Sequence, residues 1–191
     1  MPIVMAVDPG TTGATAIYDG VSLHVEDMPI YEIPVGGKLR RRIDAYELNV
    51  ILQYAKMYGV ELVLIERVGG RKRQSASAGF NFGFGTGVIH MGCIANKLPI
   101  ETVEPEVWKR VMRVPGKPES GAARRVALKA IEQVACKTFP AFVGLFYTAK
   151  RAPRIDRMEA AMMAKYCLDY VYKTDQPALI TEDQWRIAYR R

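Results

Sequence analysis

The sequence predicts a mixed α/β fold: a five-stranded sheet, three antiparallel strands followed by parallel ones, flanked by helices. Three observations carry this expectation. Two short apolar runs flank Asp19-Gly20, a two-residue hairpin signal. A continuous apolar run over residues 60–66 follows a helix-patterned stretch, as a central parallel strand would. The remaining order of helix, strand and helices is the alternation of a βαβ unit, which places parallel strands beside the opening hairpin.

Each element has a local reason. Residues 3–8 form an apolar strand stopped by Pro9-Gly10, and residues 14–18 and 21–26 form the arms of the hairpin. Residues 28–42 carry Pro29, Pro34, Gly36 and Gly37 together with Lys38, Arg40, Arg41 and Arg42. That composition reads as an exposed basic loop, a solvated connection. Asp44 is placed to cap a helix running to residue 58, with Leu48, Ile51, Leu52 and Ala55 on one face and Gly59 closing it. After the strand at 60–66, residues 67–75 are glycine-rich and basic, and residues 76–97 are compatible with a helix. Gly79, Gly83, Gly85, Gly87 and Gly92 all fall in it. A glycine costs a helix about 1 kcal/mol against alanine, so this recurrence predicts close approach by another backbone, that of a neighbouring helix, a partner subunit or a nucleic-acid strand. A short strand follows at 99–103, then a short helix at 105–112 bearing Trp108. Pro115-Gly116-Lys117-Pro118 is a turn, and Glu119 or Ser120 opens a helix to about residue 137. A loop at 139–153 leads to the last long helix at 154–172. Residues 1–174 are thereby one domain and residues 175–191 a polar C-terminal tail with aromatic insertions.

Composition narrows the function classes. A chain of 191 residues has room for one sizeable core, and 49% hydrophobic with 25% charged residues is the balance of a folded globular protein. No run of about 18 apolar residues is present to span a membrane. The N-terminus has no charged region followed by a long apolar run, so a cytoplasmic setting is expected. Cys93, Cys136 and Cys167 are widely spaced and odd in number, which suits reduced thiols better than a zinc site or a disulfide framework. His24 and His90 lack partners at ligand spacing and read as ordinary surface or core residues. Lys and Arg outnumber Asp and Glu by 27 to 20, for a net charge of +7. A polyanionic partner fits this balance, and nucleic acid is the commonest.

Four acids carry the chemistry. Asp8 and Glu66 each end an apolar run, and functional groups in open sheets gather at the carboxyl ends of parallel strands. Asp156 and Glu159 are three apart on a helix and share a face. A lone Asp after a strand is ordinarily a turn residue, and an Asp-x-x-Glu pair is ordinarily solvated. Here, though, Glu66 ends a strand too apolar for the surface, and Asp156 and Glu159 lead into Ala160-Ala161-Met162-Met163, a face that reads as buried. Carboxylates held that close need cations. Mg²⁺ or Mn²⁺ suits oxygen ligands and keeps waters that can become nucleophiles. Two ions about 3.5–4 Å apart would activate water and stabilise a leaving 3′ oxygen, cutting a phosphodiester to a 5′-phosphate and a 3′-hydroxyl.

At these residues the chain resembles the RuvC family of Holliday-junction resolvases, in the RNase H-like superfamily. Ala6-Val7-Asp8-Pro9-Gly10-Thr11-Thr12-Gly13 is similar to that family's first strand and turn, Leu64-Ile65-Glu66 to its second acidic strand, and Asp156 through Glu159-Ala160-Ala161 to its closing acidic helix. The stretch from Gly79 to Ile89 is similar to its glycine-bearing helix. The likeness runs in order and spacing over most of residues 3–170. It implies an RNase H-like fold, catalytic and metal-binding roles for Asp8, Glu66, Asp156 and Glu159, and a homodimer that binds four-way junctions and nicks two strands symmetrically. The chain departs from the family in having Glu159 where Asp is usual. Val68-Gly69-Gly70-Arg71-Lys72-Arg73 is also more basic and less aromatic than the bacterial junction-opening loop. Both departures fit a phage or mobile-element branch.

Arg71, Lys72, Arg73 and Lys117, in glycine-rich loops, are the leading candidates to grip DNA phosphates, joined by Lys109, Arg113, Lys150 and Arg154. Phe80, Phe82 and Phe84 alternate at a spacing that is not helical; core packing is expected of them, with one stacked on a base as the other reading. Three rival functions remain. A non-catalytic branched-DNA-binding protein and a nuclease for RNA–DNA hybrids would share the architecture. The Asp8-Pro9-Gly10-Thr11-Thr12-Gly13 turn also resembles that of sugar kinases in the actin-like ATPase superfamily, which need a second lobe that this length does not hold.

Overall fold

The computed structural model describes residues 1–67, 75–116 and 120–172. Arg71, Lys72, Arg73, Lys117 and the tail at 175–191 lie outside the described residues.

The five-stranded sheet is present. Strands β1 (Val4–Asp8), β2 (Ala14–Tyr18) and β3 (Leu23–Asp27) pair antiparallel, with Val4 opposite Tyr18 and Tyr18 opposite Leu23. Between them, Asp19 Oδ1 accepts from the amides of Val21 and Ser22 and closes the hairpin. Two more strands, separated from these in sequence by the segments described below, join the other edge of β1: β6 (Leu62–Glu66) and β7 (Ile100–Val103), both parallel, giving the order β3-β2-β1-β6-β7.

Side-chain alternation divides the sheet into two faces. Met5, Val7, Val63 and Ile65 face helix α1 (Ala45–Tyr58), through Leu48, Leu52 and Ala55, and helix α2 (Ala76–Ala95), through Ile89 and Cys93. Val4, Ala6, Leu62 and Leu64 face helices α3 (Pro105–Val111), α4 (Gly121–Thr138) and α5 (Ile155–Tyr166). On this second face the sheet presents Ala6, Ala14 and Ala16, and α5 presents Ala160, Ala161 and Ala164, all fully or almost fully buried. Small side chains on both partners let the helix axis lie close to the strands. That closeness carries the first turn of α5 to the end of β1.

Local signals account for the helix ends. Asp44 Oδ1 accepts from the amides of Tyr46 and Glu47 at the start of α1, and Gly59, at φ 91°, closes it by donating to Ala55 and Lys56. Ser75 caps α2 through its hydroxyl and the Ala78 amide.

Four expectations are corrected. Residues 28–42 are not a loop: β4 (Ile30–Val35) and β5 (Lys38–Ile43) pair as a separate two-stranded sheet. Gly36 and Gly37, at φ 57° and 74°, supply the left-handed pair that a tight hairpin turn requires. Pro34 is tolerated because a two-stranded sheet is all edge. The hairpin is mostly exposed and basic, as expected. Second, among the described residues only Gly85 and Gly92 of the α2 glycines stand against another part of this chain, and there against side chains. A Cβ on Gly85 would sit 2.9 Å from Ile43 Cδ1 and one on Gly92 2.7 Å from Leu52 Cδ1, whereas those on Gly79, Gly83 and Gly87 would meet nothing within 4 Å. Third, Phe80 and Phe84 are not core residues: they are 69% and 47% exposed on α2, four residues apart on one face. Fourth, the 139–153 segment contains a 3-10 helix, Pro140–Phe146, and the last helix changes to a π-helical turn at Cys167–Val171.

Candidate metal and nucleic-acid site

Val7 lies opposite Ile65, so Asp8 and Glu66 occupy the next step of the two central parallel strands. Alternation puts both on the side of Ala6 and Leu64, the face that α5 covers. Asp156 is in the first turn of α5, and Glu159 follows one turn later. Carboxylate oxygens of Asp8, Asp156 and Glu159 lie within 4.8 Å of one another. Three of the four predicted acids therefore converge on one point. Glu66, on the adjacent strand, is outside that group, and its Oε1 accepts from Trp108 Nε1 at 2.9 Å.

The turn after β1 shapes the site from below. Gly13 donates to Gly10 O at 3.1 Å and accepts from Met28 N at 2.9 Å. A Cβ on Gly13 would stand 2.0 Å from the Asp8 carbonyl oxygen, so only glycine lets this turn fold back on the strand end.

Helix α3 reaches the acids from the side. Trp108 is buried and binds Glu66. Lys109 places its Nζ 3.0 Å from Glu159 Oε1, with the lysine side chain 14% exposed and the glutamate 3%. The ammonium also sits 5.2 Å from the Trp108 ring centroid. Lys109, expected among the DNA-gripping residues, is thus directed inward at a carboxylate.

Helix α5 is fastened to the sheet edge by ion pairs. Asp27, at the end of β3, accepts from Arg157 Nε at 2.7 Å and Nη2 at 3.0 Å, and lies 2.7 Å from Arg154 Nη2. Arg157 also donates to Leu145 O at 3.0 Å. Burial pushes the Asp27 carboxyl up, but hydrogen bonds and charge from Arg157 and Arg154 outweigh it and hold the group below its ordinary 3.8. The Arg157 guanidinium is correspondingly raised by its hydrogen bond to Asp27. Arg154 and Arg157 thereby set the azimuth of the helix turn that carries Asp156 and Glu159.

Beside Asp156 opens a cleft of about 510 Å³, with Thr11, Arg41, Arg124 and Arg154 among its lining residues. Of the other predicted grip residues, Arg113 and Lys150 are exposed, Arg113 in the left-handed region at φ 56°. Cys93 and Cys167 are buried free thiols whose pKa values burial pushes up to about 12, and Cys136 is a half-buried free thiol. His24 packs against Tyr54 and Tyr58, away from any ligand cluster among the described residues.

Sequence reasoning missed Arg157, Arg124, Arg41 and the roles of Trp108 and Gly13. The Gly10-Thr11-Thr12-Gly13 spacing was a usable signal for the turn. Nothing local signals Arg157, whose partner Asp27 is 130 residues away.

No protein-family model matches the sequence, and no curated protein matches it. Among solved structures, Thermus thermophilus RuvC is similar over 87% of this chain and 95% of that one, at 14% identity and TM-score 0.46. T. thermophilus RuvC in complex with Holliday junction substrate is similar over 88% and 95%, at 10% identity and TM-score 0.50. The second likeness, together with the mixed sheet and its flanking helices, shows a RuvC-like, RNase H-like fold.

Proposed function

We propose that this chain is a metal-dependent, structure-selective DNA endonuclease that acts as a homodimer and resolves four-way junctions by paired symmetric nicks. The observation that carries the proposal is the convergence of Asp8, Asp156 and Glu159 within 4.8 Å at the carboxyl end of the central strands. Three carboxylates at that separation, one of them buried, form an all-oxygen donor set that fits Mg²⁺ or Mn²⁺. Such an ion supplies Lewis-acid stabilisation of phosphoryl charge and lowers the pKa of a bound water. Glu66, on the same face of the next strand, is the fourth carboxylate of a two-ion arrangement that leaves a 5′-phosphate and a 3′-hydroxyl.

The chain's own residues do the positioning. Trp108 orients Glu66 through its indole N–H, and Arg154 and Arg157 fix the turn that bears Asp156 and Glu159. The arginines of the adjoining cleft give a scissile strand phosphate contacts that carry no sequence information. Junction DNA as substrate is supported by the resemblance in motifs and by the structural neighbour of the same fold, which was solved with a Holliday junction. Glu159 and the basic 68–73 segment support a phage or mobile-element branch.

One observation favours a second reading, a branched-DNA-binding protein without catalysis: the Lys109 ammonium already neutralises Glu159. Incubation with an end-labelled mobile four-way junction, matched duplex and RNA–DNA hybrid decides between them. Paired nicks in the junction alone, lost in EDTA and in Asp8→Asn, are expected. Tight junction binding without nicks in Mg²⁺ or Mn²⁺ would establish the binding protein, and cleavage of the hybrid alone would make it a hybrid nuclease.

A further inference from the structure

The β4–β5 hairpin and the exposed flank of α2 have no part in the acidic cluster, yet the groove they line adjoins the cleft beside Asp156. A second groove, of about 550 Å³, is bounded by Arg40, Arg42, Asn81, Phe82 and Phe84, and it shares Thr11 and Arg41 with the cleft beside Asp156. The two hollows adjoin at Thr11 and Arg41, the first beside Asp156 and the second between the hairpin and Phe82 and Phe84 of α2. We infer that the two together form a trough that is the path of a single DNA strand, which the hairpin grips by its phosphates and α2 by its bases. The inference rests on the nuclease reading above and adds to it the form of DNA the site receives.

Charge comes first. Strand β5 carries Lys38, Arg40, Arg41 and Arg42, whereas β4 carries one acid, Glu32, which is 3.3 Å from Arg41. A strand rises about 3.4 Å per residue, so Arg40 and Arg42 are about 7 Å apart, comparable to successive phosphates along an extended strand. The hairpin is held against α2 rather than loose: Ile43 occupies the space beside Gly85, and the Arg42 guanidinium lies 5.7 Å from the Phe84 centroid.

The aromatic side decides between single strand and duplex. Phe80 and Phe84 are large exposed apolar residues on a helix whose neighbouring glycines, Gly79, Gly83 and Gly87, leave open space where side chains would stand. Rings so exposed offer apolar surface to planar bases, Phe84 on the side away from the Arg42 guanidinium. A duplex keeps its bases stacked inside and offers such rings only sugar and phosphate, whereas an unpaired strand offers both bases to stack and phosphates to pair. A second copy of the chain seated on Phe80 and Phe84 would leave the arginines of the hairpin without counter-charge, which argues against that occupant.

Anisotropy of a labelled oligothymidylate, titrated with the full chain in Ca²⁺ over a series of salt concentrations, tests the path. Arg40→Ala with Arg42→Ala is expected to reduce the slope of log affinity against log salt by about 1.4, two single-strand phosphate contacts. Phe84→Ala is expected to weaken binding by roughly 5–150-fold per lost stack while leaving that slope unchanged. Circular dichroism and sedimentation of each variant accompany the titrations. Folded variants that bind like the wild type would overturn the inference. So would a dimer that Phe84→Ala dissociates with strand affinity unchanged, or tighter binding of the matching oligouridylate through the same residues. Junction cleavage by the unmodified chain is scored separately. If the trough variants behave as expected and no cleavage occurs, the strand path stands and the nuclease reading fails; if cleavage occurs and the variants bind normally, the strand path alone fails.

Discussion

Glu159 is the residue at which burial and charge meet most sharply. At 3% exposure its carboxylate has lost most of its water, and the Lys109 ammonium at 3.0 Å supplies compensation from the protein itself. Lys109→Met removes that compensation and leaves three carboxylates facing one another. Without divalent ions this variant is expected to lose about 3 kcal/mol of stability, the cost of breaking a buried pair. Added Mg²⁺ should restore part of the loss, so its melting temperature should rise more with Mg²⁺ than that of the wild type. Thermal melts with and without Mg²⁺ check this, and equal metal-induced shifts in the two proteins would refute it. The sequence marked Lys109 only as one cation among many, because what a lysine faces depends on the helix across from it.

Between elements, the Asp27, Arg154 and Arg157 group joins the end of β3 to the start of α5. The Asp27 carboxyl titrates below its unfolded value of 3.8. Its contribution is therefore fully present above that value and is lost as the pH falls through the lower folded one. Asp27→Asn should destabilise the protein by about 1 kcal/mol at neutral pH, a figure discounted for partial exposure. The difference from wild type should shrink to nothing as both are acidified, and denaturant midpoints at a series of pH values measure it. A gap that stays constant into strong acid would mean that charge on Asp27 contributes nothing. At this same scale the hairpin β4–β5 was misjudged from sequence because its prolines and glycines were weighed as breakers; the Gly36-Gly37 pair was in fact the turn.

Across the molecule, acid and base are segregated. Three carboxylates are gathered at the end of the sheet, while the chain as a whole carries +7 and its hairpin is almost wholly cationic on one strand. Junction binding should therefore weaken steeply with salt, by about 0.9 in log–log slope for each duplex phosphate neutralised. On the proposed reading Asp8→Asn should leave that slope unchanged while abolishing nicking, because the acids and the cationic hairpin are separate parts of the molecule. Filter binding at several salt concentrations is the measurement, and a slope that alters with Asp8→Asn would show that the acids themselves take part in the grip.

The sequence by itself determined what acts over a few residues. The apolar runs that end in Asp8 and Glu66, the hairpin at Asp19-Gly20, and the caps Asp44 and Gly59 are all local in origin. From them the five-stranded mixed sheet and the strand-end placement of two acids followed. Only the tertiary structure decided that Asp8, Asp156 and Glu159 lie within 4.8 Å while Glu66 turns to Trp108, and that Arg157 bolts α5 to Asp27 across 130 residues. It alone also set Phe80 and Phe84 outward beside the hairpin. The reason is physical. Periodicity and capping specify which face of an element is apolar and where it stops, but which polar groups then meet depends on how closely two layers approach, here on alanines of the sheet packed against alanines of α5.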